Sequence, residues 1–333
     1  MRRYWTVSLM SVALSLAFSQ LSLTADSQTK PAYKWEKGQE IHLIFTTTGE
    51  GSVLEEVKPG EKATKEEKEA AAAASNEPTP LKASATIDVT FKVNEVAEDG
   101  TASAEETINK VEVTDESENT TTYAGGKAKT VVQGKESEPE IPAALLTLIN
   151  KPMAVKISPR GEITGPKEEE DAWLALRSLE PGLGRWIESS PPLLPVLPKE
   201  LEAGGNWKQQ MSLSLEELPK PLDVEVSYKL DGEEEVGQVK ASKVTLKGSG
   251  EMKDLSVTLP KDPGMPAGEP DRTIKVDHLK YDLDGKLWLN AANGLPVKSE
   301  FNTAMDMKFT QASVDETDTI TYKMTFKSKL EAK

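Results

Sequence analysis

Apolar and polar residues alternate with a period of two along most of this chain. Ile41, Leu43 and Phe45 open the pattern, and Ile87, Val89, Phe91 and Val93 resume it. Ile108, Val111 and Val113 follow beyond the acidic turn Glu98-Asp99-Gly100. Successive side chains of a strand point to opposite faces, so this spacing predicts half-buried β-strands. Residues 127–133 are read as a further strand. Met153, Val155 and Ile157 lead into a turn at Ser158-Pro159-Arg160-Gly161, with Ile163 beyond it. Trp207, Gln209, Met211, Leu213 and Leu215 then share one face, and Leu222, Val224, Val226, Tyr228 and Leu230 share another. Asp231-Gly232 is read as the turn that ends this run. Strands are expected over 236–246 and 252–259. Ile274, Val276, Tyr281 and Leu283 lead to a second expected turn, Asp284-Gly285. The end is the clearest part: Val297, Phe301, Met305, Met307 and Phe309 alternate, as do Ile320, Tyr322, Met324 and Phe326, just after the turn signal Asn293-Gly294.

Two stretches break the alternation. Residues 55–80 are rich in Glu, Lys and Ala, with almost no large apolar side chain, and read as a flexible insertion, either a solvated helix or a disordered loop. Residues 166–203 read as a helix and an apolar connector. Pro166 opens the helix, Glu168 to Asp171 load its first turn, and Trp173, Leu176 and Leu179 fall at helical spacing. The connector carries Leu183, Trp186, Ile187, Leu193, Leu194 and Leu197 among prolines that bar regular structure, while its apolar content demands burial. The expected fold is therefore mainly β. It is a large curved antiparallel sheet or partial barrel, with one short helix and the Pro-rich connector on its concave face, and residues 26–333 form a single domain. Two smaller β-domains joined through the connector are the alternative.

The first residues change the picture of where this fold works. Arg2 and Arg3 precede an apolar run from Trp5 to Phe18, and small residues follow at Ala17, Ser19 and Ala25. That is the layout of a signal peptide over residues 1–25, cut after Ser19 or Ala25, and it predicts export to the periplasm, the cell envelope or the medium. The apolar run is short for a membrane span, and no other stretch approaches that length, so no stable span is expected after cleavage. The chain has no cysteine, which excludes a disulfide scaffold and a thiolate metal site. Its net charge is −15, and losing the two arginines makes it more acidic still. Such a field repels phosphate backbones, so nucleic acid is excluded as a partner.

Three stretches resemble a family of uncharacterised exported bacterial proteins, the DUF6263 type. They are Tyr33-Lys34-Trp35-Glu36-Lys37-Gly38-Gln39, the run from Leu197-Pro198-Lys199 through Gly204-Gly205-Asn206-Trp207, and Asn293-Gly294-Leu295-Pro296-Val297-Lys298-Ser299. The resemblance implies export and a β-rich structure, and it brings no functional residues with it. The expected architecture also resembles, more loosely, the half-barrels of lipoprotein carriers, which shelter acyl chains in an apolar cavity; fold alone does not carry function.

Candidate chemistry is sparse. His42 and His278, both in strand-like stretches, lack a visible set of converging ligands and read as hydrogen-bonded surface histidines. Asp282-Leu283-Asp284-Gly285 begins like a calcium loop but lacks the remaining ligand positions. Ser27-Gln28-Thr29-Lys30 matches an S-x-x-K string with no partner motif. No cofactor is implied, and an enzyme, a hydrolase without motif, is the remote reading. The candidate site is the apolar set Trp173, Leu176, Trp186, Leu193 and Leu197. Either these residues fill the concave face as core, or they line a cavity for a lipid, another apolar ligand or an envelope protein. The first reading makes the chain a structural or interaction module; the second makes it a non-enzymatic binding protein.

Overall fold

A computed structural model describes residues 32–59, 64–66, 77–115, 117–138, 149, 151–165, 197–198, 205–213, 220–259, 272–312 and 316–333. The alternating segments assemble into one antiparallel sheet of 14 strands. β1 (Glu40–Pro59), β2 (Thr79–Val96), β3 (Ala102–Thr114), β4 (Thr120–Ala124), β5 (Lys127–Val132) and β6 (Lys135–Ser137) form a first meander. β7 (Met153–Ile157) pairs with the opening of β3 and carries β8 (Ile163–Thr164). β9 (Asn206–Leu213), β10 (Leu222–Val236), β11 (Val239–Leu259), β12 (Arg272–Asn290), β13 (Pro296–Ala312) and β14 (Glu316–Ala332) form a second meander. The two are joined where β1 pairs with β14, so the first and last strands lie side by side inside the sheet. β6 and β9 are its two ends, and the sheet does not close on itself.

Register turns the sequence pattern into two faces. One row runs from Val113 on β3 through Ala85, Thr47, Ser328, Phe301, Gly285, Leu246 and Tyr228 to Trp207 on β9. Every residue of that row is buried. The opposite face is polar, and on the second meander it alternates in charge across the strands, as in Lys323–Asp306–Lys280–Glu251. Opposite charges facing one another across strands stabilise a sheet, and a face that exposes them does not present the apolar band of a lipid-facing barrel.

The sheet curls toward its apolar face. The β7–β8 turn and the β12–β13 turn belong to strands five places apart in the sheet order, about 24 Å if the sheet were flat. Both turns touch Tyr33. A Cβ built on Gly161 would lie 2.5 Å from its ring and one built on Gly294 3.1 Å from it. Both glycines also have positive φ, 88° and 74°, so the approach and the backbone each call for glycine.

Three expectations need correction. Asp231-Gly232 is no turn: β10 runs through it with a bulge between Leu230 and Gly232 and ends at Val236. The chain reverses in a two-residue loop led by Gly237 (φ 63°), the arrangement of a type II′ hairpin. Asp284-Gly285 is no turn either. β12 continues to Asn290, and Gly285 sits beneath Phe301, whose ring would lie 2.3 Å from an added Cβ. The glycine makes room for an aromatic instead of reversing the chain. The expected strands 236–246 and 252–259 are one strand, β11, that passes Gly248 and Gly250 unbroken. Pairing also runs further than expected beside the 55–80 stretch, because 55–59 pair with β14 as far as Pro59 opposite Glu316 and β2 begins at Thr79. The helix expected after Pro166 lies outside the described residues.

Candidate functional site

The inner face is apolar and soft at its centre. Met305 lies directly opposite Met324, Met307 opposite Tyr322, and Thr303 opposite Phe326, which is 1% exposed. Phe309 and Tyr322 stack at 5.8 Å between ring centres. Methionine fills irregular space and tolerates changes in what packs against it, so this strip could follow the shape of a ligand as readily as that of a neighbouring side chain. Polar groups interrupt the face at few points. Ser328 donates to Thr47 at 3.0 Å, and Glu106 is wholly buried, opposite Phe91 and Met153. A buried carboxylate on an otherwise apolar face is a feature that the alternation of β3 concealed, because its acidic residues looked outward-facing.

One end of this enclosure is aromatic. Residues 33–39 form a strap that leads into β1: the Tyr33 amide donates to Pro159 at 2.6 Å, and the Gly38 amide donates to Val93 at 2.8 Å. Tyr33 and Trp35 are both buried. Trp207 stacks face to face on Tyr228, with ring centres 4.8 Å apart. Burial raises the phenols of Tyr33, Tyr228 and Tyr281 far above the ordinary tyrosine range. The neighbouring Tyr228 adds to the shift of Tyr33, and Tyr281 to that of Tyr228. All three therefore stay neutral at any physiological pH.

Of the candidate residues, Leu197 falls within the described chain, and the structure brings it to this same end. It is 4% exposed; its amide donates to the Arg160 carbonyl at 2.9 Å, and its own carbonyl accepts from Arg160 Nε at 2.7 Å. The β7–β8 turn thus holds the strap through Pro159 and Gly161 and the connector through Arg160. Trp173, Leu176, Trp186 and Leu193 lie outside the described residues, as does Ser27-Gln28-Thr29-Lys30. Tyr33, Trp35, Trp207 and Tyr228 were not among the candidates. Tyr33, Trp35 and Trp207 lie in the two stretches that begin at Tyr33 and end at Trp207, and Tyr228 lies in the alternating run of β10.

Several buried polar atoms near this end have no hydrogen-bond partner: Trp35 Nε1, Trp207 Nε1, Asn293 Nδ2, Ser299 Oγ and Gln209 Oε1. Each such group forgoes its hydration without return, at a cost of about 1–3 kcal/mol.

The histidines do not converge. His42 Nε2 lies 2.7 Å from Asp88, whose carboxylate also accepts from Asn109 at 2.7 Å. His278 Nε2 lies 2.9 Å from Asp306. Through Lys308 and Thr321, His278 is level with Leu54, twelve residues beyond His42 on β1 or about 40 Å of strand. Asp282 and Asp284 lie on the polar face of β12, hydrogen-bonded to Lys280 and Asn302, not in a loop that could wrap calcium. Among the described residues no group of three His, Asp or Glu side chains could hold a metal ion, and no helix is long and apolar enough to cross a membrane.

A groove of about 320 Å³ lies on the polar face, over β14, β1, β2 and β3. Thr48, Ser84, Thr114 and Thr325 line it with Lys82 and Lys327, and Glu118 walls it, 3.5 Å from Lys82. It shares no lining residue with the aromatic end. Comparison of the chain with protein-family models and with curated proteins finds no match.

Proposed function

We propose that this chain is an exported, non-enzymatic protein of the cell envelope or its surroundings that shelters an apolar ligand, or an apolar part of another envelope component, inside its curled sheet. The observation that carries this reading is the separation of the two faces. One is continuous, apolar and curled around an aromatic end, and the other is mainly polar, its buried Trp288 covered by Lys243 and Lys298. A curled sheet with an apolar lining is the shape that removes a hydrocarbon from water, worth about 25 cal/mol for each Å² buried. The signal-like N-terminus and the resemblance to exported DUF6263-type proteins support the compartment.

The complete burial of Phe326, Tyr281 and Phe91 favours a second reading, in which the interior is filled core and the chain is a structural or interaction module. Native mass spectrometry and solvent extraction of protein purified from its own compartment separate the two. A reproducible stoichiometric lipid supports the binding reading. Repeated recovery of the bare chain, with no saturable uptake of a naphthalene-type probe, overturns it in favour of the filled core.

A further inference from the structure

The buried donors at the strap end point to the kind of ligand. Trp35, Trp207 and Asn293 are 6%, 5% and 2% exposed, yet Trp35 Nε1, Trp207 Nε1 and Asn293 Nδ2 have no acceptor. The orientation of Asn293 is fixed by its own Oδ1, which accepts from the Leu295 amide at 2.9 Å, so it is the NH₂ group that stands unpaired. The three are linked through Tyr33 and Tyr228, which lie close enough for Tyr228 to act on the Tyr33 phenol. Trp35 lies on the strap two residues beyond Tyr33, Asn293 precedes the Gly294 that the Tyr33 ring covers, and Trp207 stacks on Tyr228. Folded proteins rarely leave buried N–H groups unmade, and three at one end of an apolar enclosure form a set that the described chain does not complete.

What would complete it is an acceptor brought by the ligand. All three donors are neutral. An ionised head group would give up far more hydration than neutral N–H groups return. A neutral carbonyl fits: its two lone pairs take two of the three donors, and it costs little to desolvate.

We infer that the strap end holds the neutral carbonyl head, an ester or an amide, of an apolar ligand whose chain runs along the inner face toward Met305 and Met324. This rests on the reading that the interior takes an apolar ligand, and it adds which end holds the head and what chemistry that head has.

Equilibrium binding of methyl laurate, laurate and dodecane to the full mature protein tests it. Methyl laurate should bind about fivefold or more tighter than either of the others, the return on roughly one hydrogen bond or more. Trp35→Phe and Trp207→Phe, which remove the N–H and keep a ring, should each erase about fivefold of ester affinity and leave dodecane unchanged. Equal affinity for ester and alkane, or a preference for laurate, overturns the inference while leaving an apolar interior standing. If none of the three binds, the binding reading itself falls. Should a tryptophan variant fail to fold, the ester-against-alkane comparison on the parent protein decides alone.

Discussion

The two meanders are built by the same rule and end differently. In the second, five successive strands run 15 to 21 residues, and each hairpin keeps its apolar face in register with the next. In the first, strand length falls from 20 residues in β1 to 3 in β6, all three of them exposed. The polar faces differ as well. The second meander sets Lys329, Glu300 and Lys286 in one cross-strand row, while the first sets Thr48, Ser84, Thr114 and Thr120 in another. Long strands with a charge-matched outer face make a rigid wall. The short strands β4, β5 and β6 taper the sheet to an edge, and a short charged edge strand such as Lys135–Ser137 gives another chain little to pair with. The lesson is that the apolar face carries the fold in both halves, while strand length decides where it stops.

If the second meander is the wall, the largest effect is expected at its centre. Phe326→Ala should cost about 3–5 kcal/mol, read as a lowered denaturant midpoint. An unchanged midpoint would show that β14 is peripheral and would break the comparison. Gly285→Val tests the wall's packing from the other direction. The new side chain meets Phe301 and the Glu300 carbonyl, and overpacking of this kind should cost about 1–3 kcal/mol; a variant as stable as the parent would mean that β12 and β13 slide freely.

How much of this was legible beforehand follows from the same residues. Alternation alone located the strands that carry Ile87 to Val93 and Ile320 to Phe326, because each position there obeys the face it belongs to. Asp231-Gly232 sits at a bulge beyond which β10 is exposed, so no apolar phase marks its continuation, whereas at Asp284-Gly285 the phase does. Tyr281, Leu283, Leu287 and Leu289 keep one parity straight through Gly285, and a turn would have broken it. Gly248 and Gly250 keep the phase of Leu246 and Met252 in the same way. The aromatic end was not legible as a site: Trp207 and Tyr228 are a cross-strand pair of β9 and β10, but Tyr33 reaches them only through the curl of the sheet, a property of strand order that no local pattern records.

Two smaller effects sharpen the contrast. Asp277 sits at a bulge of β12, where Lys275 at 2.7 Å and the Thr310 hydroxyl at 2.8 Å hold its carboxyl below the usual aspartate range. A depressed carboxyl contributes stability in full above its unfolded value, about 3.9, and loses it as pH falls through the lower folded value. Asp277→Asn should therefore be less stable than the parent at pH 7, by under about 1 kcal/mol for so exposed a pair, and the gap should close toward pH 2. A gap independent of pH would show that charge plays no part there. At the tapering edge, Val132 is 41% exposed, and Val132→Thr should move stability by no more than about 0.5 kcal/mol. A loss as large as that of Gly285→Val would mean that the first meander is packed as tightly as the second.

The pairing of β1 with β14 also sets a timetable. Ser328 reaches Thr47 across 281 positions of chain, so β1 acquires one of its two neighbours only once β14 has been made. Contacts that distant make a slow folder, since the loop between them must be closed before its pairing gives anything back. The seam joining the two halves cannot be sealed before β14 has been made.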